Sequence, residues 1–207
     1  MNLDLEYLAR FKADLVALTP AEMVRNYVMA EPCMGMPGVD ERELRQRIAT
    51  KFEISVENVV VVGSAKLGFT LRRKAARDDE PERPPFSPFS DNSDVDIAIV
   101  SDAVFDSIWK RCFEFWHGSG YANANYWRSG KSFRDYFFRG WMRPDHLPSE
   151  GAFTYRNEWF DYFRKITSER AAGDYKVTAG VYREAYFLES YQEIAIRDCK
   201  LGATAAQ

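Results

Sequence analysis

The stretch "SDVDIAIVSD" (Ser93–Asp102) decides how this sequence folds. From Val95 to Val100 every residue except Asp96 is aliphatic and most are β-branched, which is strand composition. Strand side chains alternate, so Val95, Ile97 and Ile99 share one face and Ala98 and Val100 the other. Both faces are apolar, and the strand is expected at the centre of a sheet covered on both sides. Asp94 and Asp96 stand at its head on the Ala98 face, with Cβ atoms about 6–7 Å apart by the strand rise. Two partly buried anions so placed must be protonated, bind a cation, or meet Arg or Lys. A divalent metal with a polyphosphate meets that need, because Mg²⁺ takes a few carboxylate oxygens and completes its octahedron with phosphate and water. By itself the cluster also reads as a turn, since Asp91, Asn92 and Ser93 are ordinary turn residues. An EF-hand reading fails: counted from Asp91, it puts Val95 at a ligand position and Asp96 at the required glycine.

Upstream lies "NVVVVGSAKLGFTL" (Asn58–Leu71). Val59–Val62 reads as a second strand buried on both faces. Gly63-Ser64 breaks it, and a helix is expected over Ala65–Leu71. Glycine lets backbone approach an anion closely, and helix amides with a serine hydroxyl can hold a phosphate. The spacing G-x-x-x-x-G is present from Gly63 to Gly68, but Phe69-Thr70 follows where a P-loop needs Lys-Ser/Thr, so a P-loop NTPase is rejected. G-x-S-x-G is absent here, which removes the nucleophile elbow.

Taken together, a strand ending in Gly63-Ser64 and a later strand opening with Ser93-Asp94-Val95-Asp96-Ile97-Ala98-Ile99 resemble the DNA polymerase β-like nucleotidyltransferase superfamily. The resemblance covers about residues 57–101. It implies an α/β (α+β) fold with a small mixed sheet flanked by helices at both ends. It further implies that Gly63 and Ser64 hold the β- and γ-phosphates of a nucleoside triphosphate, with Lys66 as a further nucleotide-binding residue. Asp94 and Asp96 would be the catalytic carboxylates and the ligands of Mg²⁺, with ATP the expected donor. Two departures are visible. The spacer between the two motifs is long, holding residues 72–92, "RRKAARDDEPERPPFSPFSDN". The family's third carboxylate also has no obvious place: the candidate strand "KVTAGVYR" (Lys176–Arg183) contains no acid, leaving Asp174, Glu184 and Asp145 as possibilities.

The rest of the chain frames this core. Leu5, Leu8, Phe11, Leu15 and Leu18 recur at helical spacing. Thr19, Pro20 and Glu22 form a helix start, as do Asp40 and Glu43. Residues 1–52 are expected to be a helical region. Residues 53–118 would form the core with 72–92 as a tolerated surface insertion. Residues 119–207 would complete the same domain with aromatic-rich helices, one strand with Val177, Ala179 and Val181 on one face, and a final helix. From His117 on, "HGSGYANANYW" reads as a loop. The segment "YWRSGKSFRDYFFRGWMRPDH" (Tyr126–His146) interleaves Arg128, Lys131, Arg134, Arg139 and Arg143 with Tyr126, Trp127, Phe133, Tyr136, Phe137, Phe138 and Trp141. It reads either as an RNA- or nucleotide-facing wall or as an amphipathic helix with an aromatic core face, and the second is favoured.

Composition narrows the function classes. The chain of 207 residues carries a net charge of −3, so no bulk field draws it to nucleic acid or anionic lipid. Cys33, Cys112 and Cys199 form no metal pair and no disulfide framework. His117 and His146 are not in metal-ligand spacing with a cysteine. The start "MNLDLEYLARFKADL" lacks the apolar run of a signal peptide, and no stretch approaches membrane-spanning length. The expectation is a cytoplasmic, Mg²⁺-dependent nucleotidyltransferase. It would move a nucleoside monophosphate from a nucleoside triphosphate to the hydroxyl of a protein, RNA or small-molecule acceptor. The alternative is a catalytically inactive module of the same fold that senses nucleotide or binds a protein partner. A weaker third reading is an RNA-binding protein.

Overall fold

A computed structural model describes residues 4–73, 82–90, 92–120, 130–149 and 153–205. The chain folds as an α/β protein around a mixed four-stranded sheet. The strands are β1 (Val59–Val62), β2 (Val95–Val100), β3 (Trp141–Met142) and β5 (Val177–Tyr182), in the order β1-β2-β5-β3. A further strand, β4 (Ala171–Asp174), precedes β5 and lies outside that order. β1 runs antiparallel to β2 with Val59 opposite Ile99 and Val62 opposite Asp96. β2 and β5 are parallel, pairing Asp96 with Thr178 and Ala98 with Gly180. β3 closes the other edge antiparallel to β5. A parallel pair needs a long crossover, and residues 101–176 supply it.

Helices cover both faces. They are α1 (Leu5–Ala17), α2 (Pro20–Met23), α3 (Glu41–Phe52), α4 (Gly63–Leu67), α5 (Asp102–Phe115), α6 (Gly130–Phe137), α7 (Tyr155–Ser168) and α8 (Ala185–Ala205). Local chemistry starts several of them. Asp4 accepts the Tyr7 amide at 2.9 Å, Asp40 accepts the Glu43 amide at 3.0 Å, and Ser101 accepts the Val104 amide at 3.2 Å. Thr19 and Glu22 close a reciprocal capping box. Such caps each contribute about 1 kcal/mol by filling donors the helix leaves open. A seven-residue π-helical turn, Val24–Ala30, continues α2.

The alternation read in β2 is realised as two cores. Val59, Val61, Val95, Ile97, Ile99, Val177 and Val181 pack with α3, α5 and α7. Val62, Ala98 and Tyr182 pack with α1, α2 and α8. The N-terminal helical region is therefore divided, with α1 and α2 on one face and α3 on the other. Each aliphatic side chain so enclosed contributes about 1.5–3 kcal/mol.

Four local expectations are corrected. α4 ends at Leu67, because Gly68 takes a left-handed conformation (φ +79°) and Phe69-Thr70 turn to other partners. Those partners are in the inserted segment: Phe86 donates to the Thr70 carbonyl (2.7 Å), Thr70 to Ser87 (2.9 Å) and Phe89 to Gly68 (2.8 Å). Phe89 is buried and Phe86 packs on Phe11 and Phe69. The described part of the insertion is thus a clasp with its own core contacts, while residues 74–81 and 91 lie outside the described residues. The first residues of the loop expected over His117–Trp127 are instead a π-helical continuation of α5, Trp116–Gly120, and residues 121–127 lie outside the described residues. Finally, β3 and β4 lie where a helix end and a helix–strand link were expected. Both are short, and two or four residues carry too little periodicity to be seen.

Candidate functional site

β2 brings Asp94 and Asp96 to the end of the sheet where β1 finishes and β5 begins. Asp94 is half-buried, and Asp96 is exposed. The expected partial burial holds for Asp94 and is corrected for Asp96: solvent screens much of the repulsion, and β5 with the residue before it supplies partners for the remainder. The Lys176 ammonium lies 3.3 Å from Asp94 Oδ2. The Thr178 hydroxyl donates to Asp96 Oδ1 at 2.7 Å. The parallel register places Thr178 directly beside Asp96, so β5 and the residue just before it anchor both carboxylates.

Gly63 meets the same acid from the other side. Val62, opposite Asp96, carries the chain into Gly63, whose φ of +69° is the left-handed region. A Cβ there would stand 3.2 Å from Asp96 Oδ2. The backbone angle favours glycine, and any side chain there would press on the Asp96 carboxylate. Ser64 follows, half-buried in the first turn of α4. The structure therefore brings Gly63, Ser64, Asp94 and Asp96 to one end of the sheet.

Lys66 is placed elsewhere. Its side chain is 4% exposed, and its ammonium donates to the Glu31 carbonyl at 2.5 Å. Burial lowers its pKa, with Glu41 and the Cys33 thiol working against that fall. At 100° per residue, a side chain two positions after Ser64 projects to nearly the opposite side of the helix. Lys66 thus clamps the 31–36 loop to α4, where Gly35 donates to the Ala65 carbonyl at 2.8 Å, and does not face the acids.

No third carboxylate joins the pair from the three candidates. Asp174 pairs with Arg170 (3.4 Å), Asp145 with Arg143 (2.7 Å) and Glu184 with Arg183 (3.3 Å). Among the described residues no three acidic, histidine or cysteine side chains group as a metal cage. Two hard oxygen donors still suit Mg²⁺, which is held by one or two carboxylates when substrate phosphates complete its shell.

Beyond Asp96 on this face the sheet floor continues through Thr178 and Gly180 to an aromatic wall. Trp141 lies over Gly180, where a Cβ would come within 2.5 Å of its Nε1. The indole stacks on Tyr182 (5.4 Å, 4° between planes) and meets Tyr136 (4.8 Å) and Tyr191 (4.6 Å). Arg143, steadied by Asp145, lies over both Tyr136 and Trp141. Burial raises the Tyr182 and Tyr191 phenols above their ordinary values, and the charge of Asp96 adds to both shifts. The wall and Asp96 thus share one electrostatic environment. Sequence spacing alone did not connect them, because Gly180, Trp141 and Tyr191 come from three separate elements.

The basic–aromatic segment divides as an amphipathic helix does. Phe133 is buried, and Phe137 stacks on Phe105 at 5.4 Å, while Arg134 and Arg139 are exposed. Tyr126, Trp127 and Arg128 lie outside the described residues. Cys33, Cys112 and Cys199 are free thiols. No described helix is long and apolar enough to cross a membrane. Comparison with family models, curated proteins and solved structures finds no match to this chain.

Proposed function

We propose that this chain binds a nucleoside triphosphate with Mg²⁺ beside Asp94, Asp96, Gly63 and Ser64, and transfers the nucleoside monophosphate to an acceptor hydroxyl with release of pyrophosphate. The observation that carries this reading is the packing of the bare Gly63 backbone against Asp96 at the head of a central apolar strand. An acid pair at the head of the strand, beside a glycine that carries no side chain, suits the close approach of a polyphosphate to the backbone. Mg²⁺, when bound, would neutralise the triphosphate and lower the pKa of the acceptor hydroxyl. In this reading Asp94 and Asp96 orient the nucleotide, Thr178 fixes the rotamer of Asp96, and Gly63-Ser64 positions the departing pyrophosphate. Loss of Mg²⁺-dependent pyrophosphate release in Asp94→Ala plus Asp96→Ala is the expected result, and unchanged turnover would end the proposal.

Thr178 favours a second reading. It holds the register position beside Asp96 where a third acid on β5 would stand. Without that base the same site would bind nucleotide and not transfer it, as a sensing or partner-binding module. Calorimetry with Mg²⁺ and a triphosphate, run beside a pyrophosphate assay over several acceptor classes, separates the two. Binding without turnover selects the second.

A further inference from the structure

β5 meets the two acids with a cation and a hydroxyl rather than with another acid. Lys176 sits one residue before the strand, and its carbonyl accepts the Val95 amide at 2.8 Å. Its backbone is therefore fixed to β2, while its flexible four-carbon stem carries the ammonium to Asp94 Oδ2 at 3.3 Å. The pair is open to water, with the lysine side chain 67% and the aspartate side chain 43% exposed. A pair of that kind is weak and readily exchanged.

We propose that Lys176 is a tethered counter-ion that keeps divalent metal off Asp94 until a triphosphate arrives, and then moves to the triphosphate, so that metal and nucleotide load together. This rests on the reading of Asp94 and Asp96 as a metal–nucleotide site. Three physical points carry it. A free divalent cation approaching Asp94 meets the ammonium already there, and two cations within a few ångström repel even through water. A triphosphate changes the balance, because its several negative charges attract the metal and the lysine at once. Lysine also serves well as a point-charge phosphate ligand, without the fixed fork of arginine. Lys66, the lysine that follows Gly63-Ser64, is committed to the Glu31 carbonyl in the interior. The consequence is a site with little affinity for metal alone.

The test uses the full chain, with MnCl₂ alone and with the Mg²⁺ complex of α,β-methylene ATP as probes, followed by calorimetry. Lys176→Met is expected to bind Mn²⁺ about tenfold more tightly than the parent, the size of a close like-charge term in a solvated site. The same variant should bind the Mg²⁺–analogue complex several-fold more weakly, and Lys176→Arg should restore both towards the parent. Unchanged Mn²⁺ affinity in Lys176→Met, or unchanged affinity for the Mg²⁺–analogue complex, overturns the inference. Asp94→Asn distinguishes the two levels. If it abolishes analogue binding while Lys176→Met is silent, the site stands and the role of Lys176 falls. If the parent and Asp94→Asn bind the analogue equally, or neither binds it, both fall together. Lys176 is on the surface, and matching thermal midpoints for Lys176→Met and Lys176→Arg establish that each variant is folded.

Discussion

The Thr178 hydroxyl, at 2.7 Å from Asp96 Oδ1, is a direct restraint on the candidate site. Thr178→Val keeps the shape and removes the donor, so Asp96 should lose its fixed rotamer. The expected outcome is several-fold weaker binding of a Mg²⁺–triphosphate complex with an unchanged thermal midpoint, checked by calorimetry and a thermal melt. Gly63→Ala acts differently. It places a Cβ against Asp96 Oδ2 and forces a left-handed angle on an L-residue. It should cost about 1–2 kcal/mol of stability in urea unfolding, from the backbone angle alone, and should also impair nucleotide binding. Lys66→Ala reverses that pattern. It strips a buried donor from the Glu31 carbonyl and should lose about 1–3 kcal/mol of stability, while nucleotide affinity stays within twofold. A large loss of affinity in that variant, with stability intact, would return Lys66 to the site.

At the scale of elements, the site depends on how β5 and the inserted segment are seated. Gly180 is the point on β5 where the Trp141 indole rests. Gly180→Ala should displace the indole from its stack on Tyr182, lowering near-ultraviolet circular dichroism and the thermal midpoint together. An unchanged near-ultraviolet signal would show that the ring is held by other contacts. The insertion is anchored by Phe89, which is buried and packs on Tyr175 at 4.8 Å. Phe89 lies four residues before Ser93, and Tyr175 precedes Lys176. This one aromatic pair therefore joins the approaches to both strands that carry the acids and their partners. Phe89→Ala should cost about 3–5 kcal/mol by opening a cavity there.

At the scale of the molecule, burial of weak acids sets an alkaline limit. Burial pushes the Cys112 thiol up to about 12, Cys199 to about 11 and the Tyr155 phenol to about 12. Each keeps its proton longer in the folded chain than in the unfolded one. Below about pH 9, the ordinary thiol value, their contribution is complete. Between there and pH 12 the unfolded chain releases protons first, so stability falls with rising pH. Lys66 works in the opposite direction, since its lowered pKa lets the folded state shed a proton first. The net expectation is a urea midpoint that declines from pH 9 to pH 11. A flat profile would show that these groups are hydrated. The sequence by itself determined the central strand, the apolar identity of both its faces, the helix starts at Thr19 and Asp40, and the two acids at the head of that strand. These follow from alternation, capping chemistry and backbone freedom, which act over a few residues. Only the tertiary structure decided that Lys176 and Thr178 meet those acids, that Lys66 turns inward, and that Trp141 lies over Gly180. Each joins elements far apart in the chain, and such contacts are set by strand register and by which helix face finds a core.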